Sequence, residues 1–417
     1  MRLLISIPDG YPTFRADVVT LFGKYLPRHG ITSDLIAHRT GPSSEEPPKW
    51  GGGDVFVCSR ASDRIRKHLT LFRFVARHLL RARKERYDAI QVRDSVFTAL
   101  VGLWVARREG IPFYYWMSYP MYESKIERLK TQGLSMGLTR WVGVAVLGYV
   151  GKWLLYRHVL RASDHVFVQS EKMLDDVAYQ GIPTSKMTPV LMGADLEDVS
   201  VSRIESTMDH RFKGRRVIVY LGTLQRIRRI DFLFEVLARV KEEVPEVVLV
   251  LAGDSVEPSD VAWLRQRAEE TGVAEDVVWT GWLPKEEGWR YVRASEVALS
   301  PFRPSFELDS CSPTKAVEYL ALGVPTVGND QPDQARVLRD SGAGHCVPYS
   351  VEAFADAVVH LLRKPEIAQE MGARGPSYVA ANRSYEIIGR ELARTYVQLR
   401  DPRIAVRDEG KSSLTQP

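Results

Sequence analysis

The stretch Val217-Ile218-Val219-Tyr220-Leu221-Gly222-Thr223-Leu224-Gln225-Arg226-Ile227-Arg228-Arg229-Ile230-Asp231 decides how the chain is read. Val217–Leu221 is an apolar strand, Gly222 ends it, and arginines follow before a helix opens at Asp231. That helix, Asp231–Glu242, leads to a second strand, Val247–Ala252, and a second helix, Val261–Glu270. Val277–Thr280, Val297–Ser300 and Thr326–Val327 add further strands. Strands that alternate with helices across short turns form a doubly wound parallel sheet.

The same rhythm runs through the residues before it. Leu3–Ile7 is a short apolar strand ended by the turn Pro8-Asp9-Gly10, with a helix over Arg15–Arg28 and an extended piece from Thr32 to Ala37. Ala89–Val92, the helix Ser95–Arg108 and Phe113–Met117 repeat the pattern, as do Asp164–Gln169 and the helix from Glu171. Between the two runs, Asp195–Lys213 is charged and poor in apolar clusters, as a linker would be. The expected fold class is α/β, with two Rossmann-like parallel-sheet domains facing a central cleft and ligands at the carboxyl ends of the strands. Residues 1–197 are expected as the first domain, 198–213 as the linker and 214–382 as the second domain. A closing helix over 383–400 is expected to return towards the first domain, and 401–417 to be a flexible tail.

Size and composition agree with two soluble domains: 417 residues, 45% hydrophobic and 26% charged. The formal charge of +5 is unevenly spread. Arg60, Arg64, Arg66, Lys67, Arg73, Arg77, Arg81, Arg83, Lys84, Arg86 and Arg93 face only Asp63, Glu85 and Asp88. Such a block meets phospholipid headgroups or nucleic acid, or is simply a solvated helix face. Cys58, Cys311 and Cys346 show neither paired nor metal-ligand spacing, which suits a reducing compartment. The apolar run before Pro8 is too short for a signal peptide, so a cytoplasmic protein is expected.

One segment departs from a soluble sheet protein. Trp141–Gly151 is uncharged, and after Lys152 the run resumes as Trp153-Leu154-Leu155-Tyr156. Crossing a bilayer takes about 20 apolar residues, so this run is too short. Arg140, Lys152, Arg157, His158 and Arg161 border it, with aromatic residues at both ends. Over about 141–156 the reading is a helix lying in the membrane interface; a buried core helix is the alternative.

The chemistry centres on Ser310-Cys311-Ser312-Pro313-Thr314-Lys315-Ala316-Val317-Glu318, which continues to Gly323-Val324-Pro325. Ser312 reads as an N-cap, Pro313 as the first helical residue and Gly323 as the helix stop. First-turn N–H groups with Lys315 beside them make an anion site, and Glu318 lies one turn on, placed to accept from ribose hydroxyls. An ordinary capped helix is the alternative. The cluster after Gly222, with Arg226 and Arg228, puts cations at a strand end where an anion would enter; a charged surface loop is the bland counterpart.

From about Val217 to Tyr396 the chain resembles the retaining glycosyltransferases of family four, which have the GT-B fold. The resemblance runs through Gly222-Thr223-Leu224 with Arg228, Leu251-Ala252-Gly253-Asp254, Val278-Trp279-Thr280-Gly281-Trp282-Leu283, Ala294-Ser295-Glu296-Val297, and Ser312-Pro313-Thr314-Lys315 through Glu318 to Pro325. In the first half it is looser, at Gly10, Gln169-Ser170-Glu171 and Gly193-Ala194-Asp195. It implies that Arg228 stands where the family keeps a donor-diphosphate lysine, and that Glu318 holds the ribose as the second glutamate of an E-x7-E motif. Gly281, Trp282 and Leu283 would receive the base, and Gly10 would let the N-terminal loop approach the phosphate. Three positions depart from the pattern. Ser310 replaces the first glutamate, with Asp309 and Glu307 nearby; Thr223 replaces an arginine, for which Arg226 is the substitute; and Trp116-Met117-Ser118 replaces a histidine. Asp94 is the substitute expected at the acceptor hydroxyl, with a helix N-cap as its other reading.

The implied activity is metal-independent, retaining transfer of a sugar from a nucleotide diphosphate, UDP first and GDP second, to a lipid-linked or glycan acceptor. No D-x-D sequence occurs to hold a cation, and no cofactor is expected beyond the nucleotide sugar itself. Peripheral contact with an anionic membrane, on the inner face of the cytoplasmic membrane, is expected; nucleic acid is not. The alternatives are a non-catalytic partner subunit and a nucleotide-sugar epimerase. An NAD-dependent dehydrogenase is disfavoured, because the first turn has no G-x-G-x-x-G.

Overall fold

The computed structural model describes residues 1–13, 15–39, 50–58 and 64–400. The expected tail, 401–417, lies outside them, as do Arg60, Asp63 and the side chains of Arg64, Arg66 and Lys67. The chain forms two compact units: Met1–Leu191 with the segment starting at Tyr385, and Met192–Ser384.

The first unit carries a seven-stranded sheet: β1 (Arg2–Tyr11), β2 (Thr32–Arg39), β3 (Val55–Cys58), β4 (Ala89–Arg93), β5 (Phe113–Met117), β6 (His165–Val168) and β7 (Met187–Pro189). The order is β3-β2-β1-β4-β5-β6-β7, and every pairing is parallel. Helices cover such a sheet on both faces, so its central strands β4 and β5 are buried throughout. All five residues of β5, Phe113-Tyr114-Tyr115-Trp116-Met117, are buried. Each large side chain of this kind contributes about 1.5–3 kcal/mol of transfer free energy. The helix Tyr385–Arg400 packs on this unit, and Tyr396 Oη donates to Gln91 Oε1 at 2.6 Å.

β1 is longer than its apolar pattern. It runs past Pro8-Asp9-Gly10, with a register shift between Ser6 and Gly10, and Gly10 pairs with His38. The segment read as a turn is thus an irregularity inside the strand.

The helix Leu138–Leu154 buries only Gly148 and Gly151. A Cβ on Gly151 would lie 2.2 Å from Tyr122 Cε1, so the missing side chain lets the helix press against Met121–Gln132. Leu138, Val142, Val146, Tyr149, Val150 and Trp153 are all exposed. The buried-core reading therefore fails as far as Trp153, while Leu155 and Tyr156 at the end of the run do lie in the core of this unit. No described helix is long and apolar enough to cross a membrane.

The second unit has six strands: β8 (Arg216–Leu221), β9 (Val247–Ala252), β10 (Val277–Trp279), β11 (Val297–Ser300), β12 (Thr326–Asn329) and β13 (Gly344–Val347). Their order is β10-β9-β8-β11-β12-β13, again all parallel. Residues 198–213 belong to this unit rather than forming a linker. Val199 and Ile204 are buried in its core beside Val217 and Val292, and Asp209 is bound by Arg211 and Tyr291. Two of the charges that suggested a linker, Asp209 and Arg211, pair with each other.

In both sheets the strand order reverses once, between β1 and β4 and between β8 and β11. Ligands of open parallel sheets bind beyond the carboxyl ends of strands at such points.

Candidate active site

At the reversal in the second unit, β8 ends at Leu221 and Gly222 follows with φ +156°. A Cβ there would lie 2.7 Å from Lys315 Cε, so only glycine lets the lysine stem cross the strand end. Tyr319 locks the register of the two pieces. Its Oη accepts from Leu221 N at 2.8 Å and donates to Leu221 O at 3.3 Å. The helix Thr314–Ala321, which carries Lys315 and Glu318, is thereby bolted to the end of β8.

Lys315 lies between two aromatic faces, with Nζ 5.2 Å from the Tyr220 ring centre and 4.7 Å from that of Phe302. It meets ring faces there rather than a carboxylate. Burial, and then the Arg228 charge, hold its pKa well below the ordinary lysine value, with Glu318 opposing. Arg228, in the short turn Arg226–Arg228, has Nε buried without a hydrogen-bond partner, and so is Thr223 Oγ1. Unsatisfied buried donors carry a cost, so such groupings mark places where a ligand supplies the missing acceptors. No side chain caps the first turn of Thr314–Ala321, so its N–H groups add to the same positive end. These groups together gather donors without protein acceptors at the end of β8.

Glu318 follows one turn along. Trp289 Nε1 donates to its Oε2 at 3.3 Å, and Lys285 Nζ stands 3.6 Å from its Oε1. Gly253, after β9, forms an isolated bridge with Gly281, after β10, so the expected base-binding turn sits at the neighbouring strand ends. Trp282 is exposed there and Leu283 half-buried.

Several expected roles differ in the structure. Pro313, not Ser312, occupies the N-cap position, and the helix begins at Thr314. The Ser312 hydroxyl is used elsewhere: it donates to Asp333 Oδ2 at 2.5 Å and accepts from Met192 N at 2.8 Å. Asp333 is also bound by Arg383 in a buried bidentate pair. Gly323 does end the helix, at φ +71°, with Gly323 N bonded to Leu320 O and Val324 N to Tyr319 O. Ser310 donates to Phe306 O at 3.0 Å, while Gln331 Nε2 ties down the carbonyls of Leu308, Asp309 and Cys311. Arg226 is exposed, and its guanidinium stacks 4.6 Å from the Trp263 ring centre.

The reversal in the first unit holds a different cluster. Arg93 reaches Asp9 at 2.5 Å, Asp17 at 3.0 Å and Asp94 at 3.3 Å, and Trp116 Nε1 donates to Asp17 at 3.2 Å. Burial works against the Arg93 charge, but Asp17, Asp94 and Asp9 outweigh it and its pKa is raised. Asp94 has φ +53° and is buried; both of its oxygens accept from Ser118, one from the backbone N–H and one from the hydroxyl. Burial raises its pKa against Arg93 and Ser118. Asp94 is not an N-cap, a position held by Ser95, and each of its oxygens already accepts a hydrogen bond. Its visible task is to orient Ser118.

Trp289, Phe302, Tyr319, Gln331 and the Asp333–Arg383 pair escaped the sequence reading. Among the described residues, no group of three His, Cys, Asp or Glu side chains is placed to hold a metal ion.

This arrangement, a glycine-ended strand facing a lysine–glutamate helix in the second of two parallel-sheet units, is that of the GT-B glycosyltransferases. Residues 16–198 match the family model Glycosyltransferase Family 4, and residues 215–364 match Glycosyl transferases group 1. The chain belongs to this family. Alpha-monoglucosyldiacylglycerol synthase of Streptococcus pneumoniae is 22% identical over 291 residues, covering 67% of this chain and 60% of that protein. GDP-mannose-dependent alpha-(1-6)-phosphatidylinositol monomannoside mannosyltransferase of Mycolicibacterium smegmatis is 28% identical over 195 residues, covering 46% of this chain and 50% of that protein. The chain thus spans about half to two thirds of the length of the curated relatives it matches. Among solved structures, Anabaena Alr3699/HepE in complex with UDP and glucose superposes with a TM-score of 0.67 at 15% identity, covering 95% of this chain and 100% of that one.

Proposed function

We propose that the protein transfers a sugar from a nucleotide diphosphate, UDP before GDP, to a lipid-linked or glycan acceptor, with retention and without a metal ion. The observation that carries this is the meeting of Lys315 and Arg228, neither held by a carboxylate, at the end of β8 where Gly222 leaves room. A donor diphosphate supplies the acceptors these groups lack. As the bond between the anomeric carbon and the β-phosphate oxygen breaks, charge gathers on that oxygen. Lys315, Arg228 and the first-turn N–H groups stabilise it from fixed positions, which is the role a metal ion fills elsewhere. The acceptor oxygen bonds to the anomeric carbon on the face the phosphate leaves, and its proton passes to a departing phosphate oxygen. Glu318 accepts from the ribose hydroxyls and fixes the donor.

The acceptor reading draws on the exposed apolar side of Leu138–Leu154 and on its cationic borders, Arg140 and Arg157. An apolar stripe flanked by basic and aromatic residues fits the membrane interface. Two relatives carry lipids in their names, monoglucosyldiacylglycerol and phosphatidylinositol monomannoside, which agrees with a membrane-side acceptor. Location on the inner face of the cytoplasmic membrane follows from that reading.

The test is turnover. Purified protein with UDP-glucose or GDP-mannose and anionic vesicles should release nucleoside diphosphate, with EDTA present, and give a product of unchanged anomeric configuration by NMR. Arg228→Ala and Lys315→Ala variants that keep full turnover, or a wild-type protein that converts donor without any acceptor into an epimer, would refute it.

A further inference from the structure

The carboxylate of Glu318 is held from one side only. Trp289 is buried at 3% exposure, and its indole N–H would be an orphan donor without Glu318 Oε2 at 3.3 Å. The helix Lys285–Arg293 brings it there by lying close on the end of β8: a Cβ on Gly288 would stand 2.8 Å from Leu221 Cδ1. Lys285 is a different kind of neighbour. Its side chain is 60% exposed, stacks 4.7 Å from the Trp289 ring centre, and stands 3.6 Å from Glu318 Oε1. An exposed ion pair of that kind is weak and easily screened, whereas a buried N–H donor stays in place. The two contacts divide the work between them.

We propose that Trp289 is the positioning residue for Glu318, fixing Oε2 so that Oε1 faces the vicinal diol of the ribose, and that Lys285 balances the carboxylate charge until the diol displaces it. This rests on the reading of Glu318 as the ribose-binding carboxylate. A carboxylate has about four lone-pair sites, so one indole bond leaves enough for two hydroxyls. Selection for a ribose over a deoxyribose then depends on Trp289, which touches neither the sugar nor the phosphate.

The experiment is titration of the full chain with UDP, GDP and their 2′-deoxy forms, taking the ratio of affinities for whichever base binds tighter. Glu318→Gln should bring the ribo-to-deoxy ratio close to one. Trp289→Phe, which keeps an aromatic ring and loses only the donor, should reduce the ratio about three- to tenfold, since a hydrogen bond to a charged group is worth that much or more. Lys285→Met should leave the ratio intact and remove part of the salt dependence. An unchanged ratio in Trp289→Phe, while Glu318→Gln collapses it, overturns the positioning role alone. If Glu318→Gln leaves the ratio unchanged, or if neither nucleotide binds, the ribose reading falls and takes this proposal with it. Should Trp289→Phe fail to fold, wild-type protein labelled at its nine tryptophan indoles gives the answer. One indole N–H resonance should shift in Glu318→Gln and on adding the ribonucleotide, and shift less with the deoxy form; the absence of any such resonance overturns the proposal.

Discussion

Replacing Lys315 with methionine should make the free protein more stable and the nucleotide-bound protein less so. The ammonium is partly buried between Tyr220 and Phe302, and Arg228 is close enough to depress its pKa. Methionine keeps most of the chain volume and removes a charge that meets ring faces rather than an anion. Relief of that desolvation is worth about 1–2 kcal/mol. For a unit of this size each kcal/mol moves the melting temperature by about 2–4 °C. Loss of one charge-assisted contact with a phosphate costs about 1.5–3 kcal/mol, or about 10- to 150-fold in Kd. Thermal melts of wild type and Lys315→Met, each with and without UDP and GDP, read both effects at once. The expected record is a higher melting temperature for the free variant and little further rise with nucleotide. A variant that melts lower than wild type, yet keeps the full nucleotide-induced rise, would refute the reasoning, because Lys315 would then be a structural residue.

Four further outcomes follow from named residues. Because the Lys315 pKa is lowered from 10.5 in the free protein and an anion raises it, binding should take up a proton and affinity should fall as pH climbs between the free and bound values; calorimetry in two buffers of different ionisation enthalpy measures the uptake. Between the depressed folded value and the ordinary 10.5 the unfolded chain binds the proton more tightly than the folded one, so stability of the free protein should rise with pH across that window. Asp333→Asn strips the buried Arg383 of its counter-charge and should cost about 3–5 kcal/mol in a denaturant melt. Val146→Asp and Trp153→Asp, both at exposed positions of Leu138–Leu154, should reduce co-sedimentation with anionic vesicles while leaving the melting temperature unchanged.

Burial on both faces made the central strands readable from sequence. Val247–Ala252 is uniformly apolar, and its bounds in the structure are those its pattern implies. The outer strands Val55–Cys58, Met187–Pro189 and Gly344–Val347 carry three or four residues each and little pattern, so nothing local marks them. The site splits along the same line. The positions of Gly222, at a strand end, and of Lys315 and Glu318, just inside a helix, were legible because both features have local signatures. The N-cap readings of Ser312 and Asp94 failed because capping is a local rule and their partners are not local. Asp333 lies 21 residues from Ser312, Met192 lies 120 away, and Ser118 lies 24 from Asp94. A hydroxyl or carboxylate claimed by a distant residue is unavailable to its own helix, and no window of sequence reveals that. Trp289 is hidden for a related reason, since a buried tryptophan on an amphipathic helix reads as core until its N–H is seen to face a carboxylate.

The most direct measurement is a crystal structure of the protein soaked with UDP or GDP. The β-phosphate should lie within hydrogen-bond distance of Lys315 Nζ and Arg228, with the ribose hydroxyls on Glu318. A nucleotide bound with its phosphates elsewhere, and Lys315 still between two bare rings, would contradict it.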